Sequence, residues 1–216
     1  MAALNLICYI LVIVLGLLSS LQLPAALVAM VPGWQLYVPL LCGVACNFIL
    51  SRVRATSKNK EHLRILSHEI THWVISLFFF RKIHSLNVGV NSGSVTHSSG
   101  RFGDIFISLA PYCFPLFTIA LLILRLAIVS QCLWGFDVFV GLTLGFHIGC
   151  FASQISPEQT DISRHGVIKS YIFIVASWLF FSLLILYSIR YNLWGAFENM
   201  FAGYWKTLSA LWEMIA

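Results

Sequence analysis

Long apolar stretches separated by short polar connections dominate the chain, and that pattern predicts a polytopic α-helical membrane protein. Leu4 to Leu23 is apolar over a length that crosses a bilayer. No Lys or Arg precedes it, which predicts a retained span rather than a signal peptide. Pro24 and Pro32 punctuate the connection to a second apolar run, Trp34 to Leu50. A basic cluster follows from Arg52 to Arg64, and the positive-inside rule assigns it and the N-terminus to the cytoplasm. A helix is predicted from Glu61 to Phe80, and further apolar runs cover Ile105 to Val129, Leu133 to Ala152 and Val167 to Ile189. Between Leu86 and Thr96 the period changes from that of a helix to strict alternation. With Asn91-Ser-Gly93 as its turn, this stretch predicts a small β-hairpin after the preceding helix. The aromatic tail, Arg190 to Ala216, suits a helix lying in the membrane interface. The fold class expected is thus all-α and polytopic, with about five to six transmembrane helices and one inserted hairpin.

Composition strengthens this reading. Of the 216 residues, 59% are hydrophobic and 10% charged, far from the quarter charged that soluble domains carry. Several spans in a chain of this length leave no room for an appended soluble domain. The net charge of +5 is what short cytoplasmic loops carry, and it points to no nucleic acid. Six scattered Cys, none in a CxxC pair, read as packing residues.

Chemistry enters with His68-Glu69-Ile70-Thr71-His72. On a helix, residues four apart share a face, so two imidazoles at this spacing can hold one tetrahedral Zn²⁺. The intervening Glu69 is placed to act as general base towards a water at that metal. The motif runs into Trp73 to Phe80, an apolar stretch in which charged groups are costly without a partner or a role. A catalytic zinc needs a third protein ligand. The candidates are Asp104, Asp137, Asp161, His97, His147 and His165. Helix capping accounts for Asp104, interfacial placement for Asp137, solvation for His97 and a core hydrogen bond for His147. Asp161 follows Pro157 in a break between two spans, where a carboxylate can turn towards a facing helix. Capping of the helix beginning near Ile162 is its competing role.

On these residues the chain resembles the site-2 protease family of intramembrane zinc metalloproteases. His68, Glu69 and His72 match the family's HExxH, and the run from Phe146 through Pro157 to Asp161 is similar in layout to its second motif. The hairpin after the first motif also fits, because the family inserts β-structure there. Asp161 is flanked by Thr160 and Ile162 where the family usually has Leu and Gly, and Thr71 stands where many members have Gly. The resemblance implies three regions: N-terminal helices and basic loop over 1–60, a metalloprotease core over 61–189, and an interfacial helix over 190–216. It implies Zn²⁺ on His68, His72 and Asp161, with Glu69 as the base. It further implies a multi-pass protein of the bacterial inner membrane whose partners are the bilayer and a transmembrane protein substrate.

The hairpin suggests how such a substrate binds. An unwound segment can add to it as an extra strand, through Val88, Gly89, Val90 and Asn91. Asn91 or Ser94 are candidates to assist the oxyanion. Two rival readings are an inactive family member serving as a scaffold and a metal transporter. A transporter needs ionisable groups along several spans, which the first two runs lack. A purely structural zinc site has no need of Glu69.

Overall fold

The computed structural model describes residues 2–53, 57–89, 93–98 and 102–215. The helices are α1 (Ala2–Met30), α2 (Val38–Leu50), α3 (Ser57–Phe78), α4 (Asp104–Cys113), α5 (Leu116–Leu124), α6 (Leu133–Gln154), α7 (Thr160–Ser163) and α8 (Val167–Ile215). Strands β1 (Ile83–Val88) and β2 (Gly93–His97) form one antiparallel hairpin directly after α3. Among the described residues, three helical stretches are long and apolar enough to cross a membrane: Ala3–Leu36, Ser130–Gln154 and Val167–Met214. The bent pair Asp104–Cys113 and Leu116–Ala127 makes a fourth if it is one span. The chain is therefore a helical membrane protein with an inserted hairpin. Two segments expected as spans fall short. α2 has only 13 residues, because the Val31–Leu36 stretch containing Trp34 is a 3₁₀ turn. α3 carries Lys58, Lys60, Glu61 and Arg64 in its first half, so only its second half is apolar.

Proline sets several boundaries, though not all. α1 continues through Pro24, as spanning helices tolerate, and ends ahead of Pro32. The apolar run from Ile105 is not one helix. Phe114, the residue before Pro115, is extended, and α5 leaves α4 at 80°. α6 likewise ends where Ile155 becomes extended, two residues before Pro157.

The aromatic tail packs back along α1. At Asn192, with φ 67° and ψ 174°, α8 reverses. Its first leg runs parallel to α1, with Tyr9 stacked on Phe173 and Arg190 Nη1 donating to the Ala29 carbonyl at 2.6 Å. Its second leg runs back along α1. Ser19 and Tyr204 share a hydroxyl hydrogen bond at 2.7 Å, and Gln22 Nε2 donates to the Met200 carbonyl at 3.2 Å. Ala196, Met200 and Tyr204 recur every four residues and are fully buried, so one stripe of the tail is core. Trp194, Trp205 and Trp212 remain exposed on the opposite side.

Close helix contact organises the rest. A Cβ on Gly141 would collide with the Leu40 carbonyl oxygen, so glycine is what lets α6 lie directly on α2. Asp137 is not interfacial. It is buried and accepts two hydrogen bonds from Arg125, at 2.7 and 3.0 Å, while Arg125 also donates to the Ser188 and Ile189 carbonyls. This group ties the end of the bent pair to α6 and α8. Of the six free cysteines, Cys113 and Cys150 are buried in the packing, whereas Cys42, Cys46 and Cys132 are exposed.

Candidate active site

α3 carries His68, Glu69 and His72 just past its middle, where its charged first half gives way to the apolar second half. As the spacing predicts, the two imidazoles share a face, with Nε2 atoms 3.1 Å apart. Asp161 arrives from the opposite side. The chain leaves α6, turns through Pro157 and starts the single turn α7, placing Asp161 in its first turn. Asp161 Oδ2 lies 3.5 Å from His68 Nε2 and 3.4 Å from His72 Nε2. The three ligand atoms all lie within 4.8 Å of one another.

These distances suit a tetrahedral metal. Ligand atoms at tetrahedral corners about 2.0–2.1 Å from zinc stand about 3.3–3.4 Å apart. The chemistry of the donors suits one too. His72 Nδ1 donates to the Ile107 carbonyl at 2.7 Å, and His68 Nδ1 donates to Gln154 Oε1 at 3.4 Å. With both Nδ1 positions committed as donors, each neutral ring turns an Nε2 lone pair towards Asp161. Three acceptors directed at one point require positive charge between them, from extra protons or from a metal ion. Asp161 reports the same need. Burial opposes its ionisation, but the hydrogen bonds with His68 and His72 outweigh burial and hold its carboxyl below the usual range. Tyr112, buried behind the site, donates to Asp161 Oδ2 at 3.5 Å and meets the His68 ring edge-on.

The group opens into a polar cleft of about 340 Å³, lined by Glu69, Gly93, Ser94, His97, Ser108 and Arg164 among others. Glu69 is 8% exposed and sits under the start of β2. A Cβ on Gly93 would lie 2.5 Å from Glu69 Cγ, so the hairpin closes over the carboxylate only because this residue is glycine. The cleft is lined by β2 through Gly93, Ser94, Val95 and His97, not by the expected Val88 and Gly89. Val88 pairs with Gly93 from the far strand, and the Gly89 carbonyl accepts from His62 Nδ1 at 3.2 Å. Val90 and Asn91 lie outside the described residues. Ser94, one of the two oxyanion candidates, does line the cleft.

The other ligand candidates lie outside the His68–His72–Asp161 group. Asp104 pairs with Arg164 at 3.0 Å rather than capping α4, whose N-cap is Gly103. His165 Nε2 stands 4.0 Å from the same Asp104 carboxylate. His147 stacks on Trp178, and its buried Nε2 has no hydrogen-bond partner among the described residues. His97 lies in the cleft wall, with Nδ1 donating to the Ser98 carbonyl. Gln154 and Tyr112 are contacts that sequence reasoning did not select. Gln154 is only three residues ahead of Pro157, and that proximity was the available signal.

A family model described as Peptidase M50B-like matches residues 40–148, half of the chain. The chain belongs to the site-2 protease family. The matched residues carry the family's HExxH, the hairpin and most of α6, but stop short of Asp161, whose place beside the histidines rests on the geometry above. No curated protein and no solved structure matches the chain. Site-2 proteases are zinc metalloproteases of membranes, and the apolar helices of this member agree with that setting.

Proposed function

We propose that the chain is an intramembrane zinc metalloprotease in which His68, His72 and Asp161 hold Zn²⁺ and Glu69 is the general base. The observation that carries this is the convergence of three ligand atoms within 4.8 Å in a cleft that Glu69 also lines. Zinc bound there supplies Lewis acidity, polarising the scissile carbonyl and acidifying the attacking water. Glu69 takes the proton of that water and returns it to the leaving amine nitrogen. Its enclosure beneath β2 keeps bulk water from competing for the carboxylate. His68 and His72 stay oriented through their Nδ1 partners, so no ring must rotate as charge develops.

The substrate in this reading is a transmembrane segment, unwound locally because an intact helix hides its peptide bonds. β2 forms the cleft wall beside Glu69, so the segment adds along β2, and alternate side chains settle into the cleft. Ser94 is the nearest candidate on that strand to face the developing oxyanion. The membrane is the bacterial inner membrane in this reading, which fractionation of the host cell tests.

The deciding experiment is elemental analysis of zinc in purified wild type, His68→Ala and Asp161→Ala, alongside cleavage of transmembrane reporter substrates. Near-stoichiometric zinc in wild type, lost from both variants, is expected. Zinc retained by Asp161→Ala removes that residue from the ligand set. A wild type that binds no zinc when metal is supplied ends the metalloprotease reading.

A further inference from the structure

The two histidines are held by partners of different kinds. The acceptor at His72 Nδ1 is a backbone carbonyl, that of Ile107. The acceptor at His68 Nδ1 is a side chain, that of Gln154, the last residue of α6. Gln154 also reaches the backbone of α3, where its Nε2 lies 3.4 Å from the Arg64 carbonyl oxygen, four residues before His68. It thus grips the same helical turn twice.

This second contact decides the first. A carbonyl oxygen only accepts, so the amide nitrogen of Gln154 must be the atom facing Arg64. That leaves Oε1 towards the imidazole. Oε1 also only accepts, so His68 Nδ1 must carry the ring proton, and the Nε2 lone pair is free on the side of His72 and Asp161. Reversal of the amide would set nitrogen against an Nδ1 lone pair, move the proton to Nε2 and spoil a ligand.

The geometry points to Gln154 as a positioning residue of the zinc site, setting the tautomer and orientation of His68 from the end of α6. The inference rests on the zinc reading above. It also gives α6 a part in the site: the helix delivers Asp161 through the turn that follows it and orients His68 with its own last residue.

Zinc affinity, measured by competition with a chromophoric chelator on the full-length protein, tests this in wild type, Gln154→Leu, Gln154→Glu and Gln154→Asn. Gln154→Leu is expected to lose about 10–100-fold in affinity, the usual cost of removing such a partner. Gln154→Glu keeps an acceptor at Nδ1 and is expected to stay within about threefold of wild type. Thermal unfolding of the two zinc-free variants should agree, since both lose the bond to Arg64. Equal losses in the two variants would make Gln154 a helix-docking residue and overturn the role. If Gln154→Leu is not recovered folded, Gln154→Asn decides: its shorter side chain must lose affinity while Gln154→Glu retains it, and equal affinities refute the assignment. Zinc bound equally by wild type and Gln154→Leu overturns only this inference, whereas no zinc in wild type overturns the underlying reading with it.

Discussion

Gly93→Ala is the sharpest probe of how the hairpin governs the active site. The added methyl would stand 2.5 Å from Glu69 Cγ, 2.9 Å from Cδ and 2.8 Å from Oε1. Carbon atoms settle about 3.5–4.0 Å apart, so either β2 or the Glu69 side chain must give by about 1 Å. Glu69 is almost wholly buried, and the atom struck first is its Cγ rather than its free end. The carboxylate therefore moves. A misplacement of about 1 Å in a catalytic group costs on the order of 100-fold in rate. None of the three proposed metal ligands is among the atoms struck, so zinc content should stay that of wild type. The assay is turnover of a transmembrane reporter that wild type cleaves, measured beside zinc content and thermal stability. Gly149→Ala is the control, because a Cβ there meets nothing within 4 Å. Cleavage by Gly93→Ala within a few-fold of wild type would refute the claim that β2 holds the base in place.

Three other outcomes follow from the same structure. Glu69→Gln should keep its zinc and lose about 10²–10⁴-fold in cleavage, the usual contribution of a general base; a variant as active as wild type removes Glu69 from that role. Zinc should be released on acidification, because protons compete with the metal for Nε2 of His68 and His72. Asp161, whose carboxyl is held below its usual range by its partners, contributes pairing stability that is full above about pH 3.9 and is lost only as pH falls below that. Zinc content that stays unchanged on acidification, by chelator titration, would contradict the assignment of the two imidazoles as ligands. Asp137→Leu strands the buried Arg125 guanidinium and should destabilise the protein by about 3–5 kcal/mol, while Arg125→Met combined with Asp137→Leu recovers most of the loss. Equal unfolding temperatures for the single and double variants in detergent would show that the pair is not energetically coupled.

What could be read from the sequence was whatever local spacing dictates. The HExxH face follows from helical geometry alone, and the hairpin follows from alternation around Asn91-Ser-Gly93. Asp161 was reachable because Pro157 breaks the chain between two spans, where a carboxylate can turn towards a facing helix. Contacts between distant segments were not reachable in this way. Arg190-Tyr191-Asn192 interrupts the apolar run and Asn tolerates a positive φ, but neither says that the chain turns back along α1 there. The burial of Ala196, Met200 and Tyr204 against α1 is visible only once that reversal is known.

The same limit applies to which strand of the hairpin lines the cleft. Alternation establishes that residues 86–96 form strands, but not which strand of a two-stranded hairpin faces the helix before it. Gly93 decides the matter. It is the residue small enough to rest on Glu69, so β2 lines the cleft, whereas β1 packs on α3 without lining it. A glycine first read as turn chemistry is, in the folded protein, the contact point between the strand proposed to hold the substrate and the carboxylate proposed to activate water. That double duty makes the position sensitive to a single methyl group, whereas substitutions at Val88 or Gly89 at the end of β1 should reach Glu69 only through the hairpin's own hydrogen bonds.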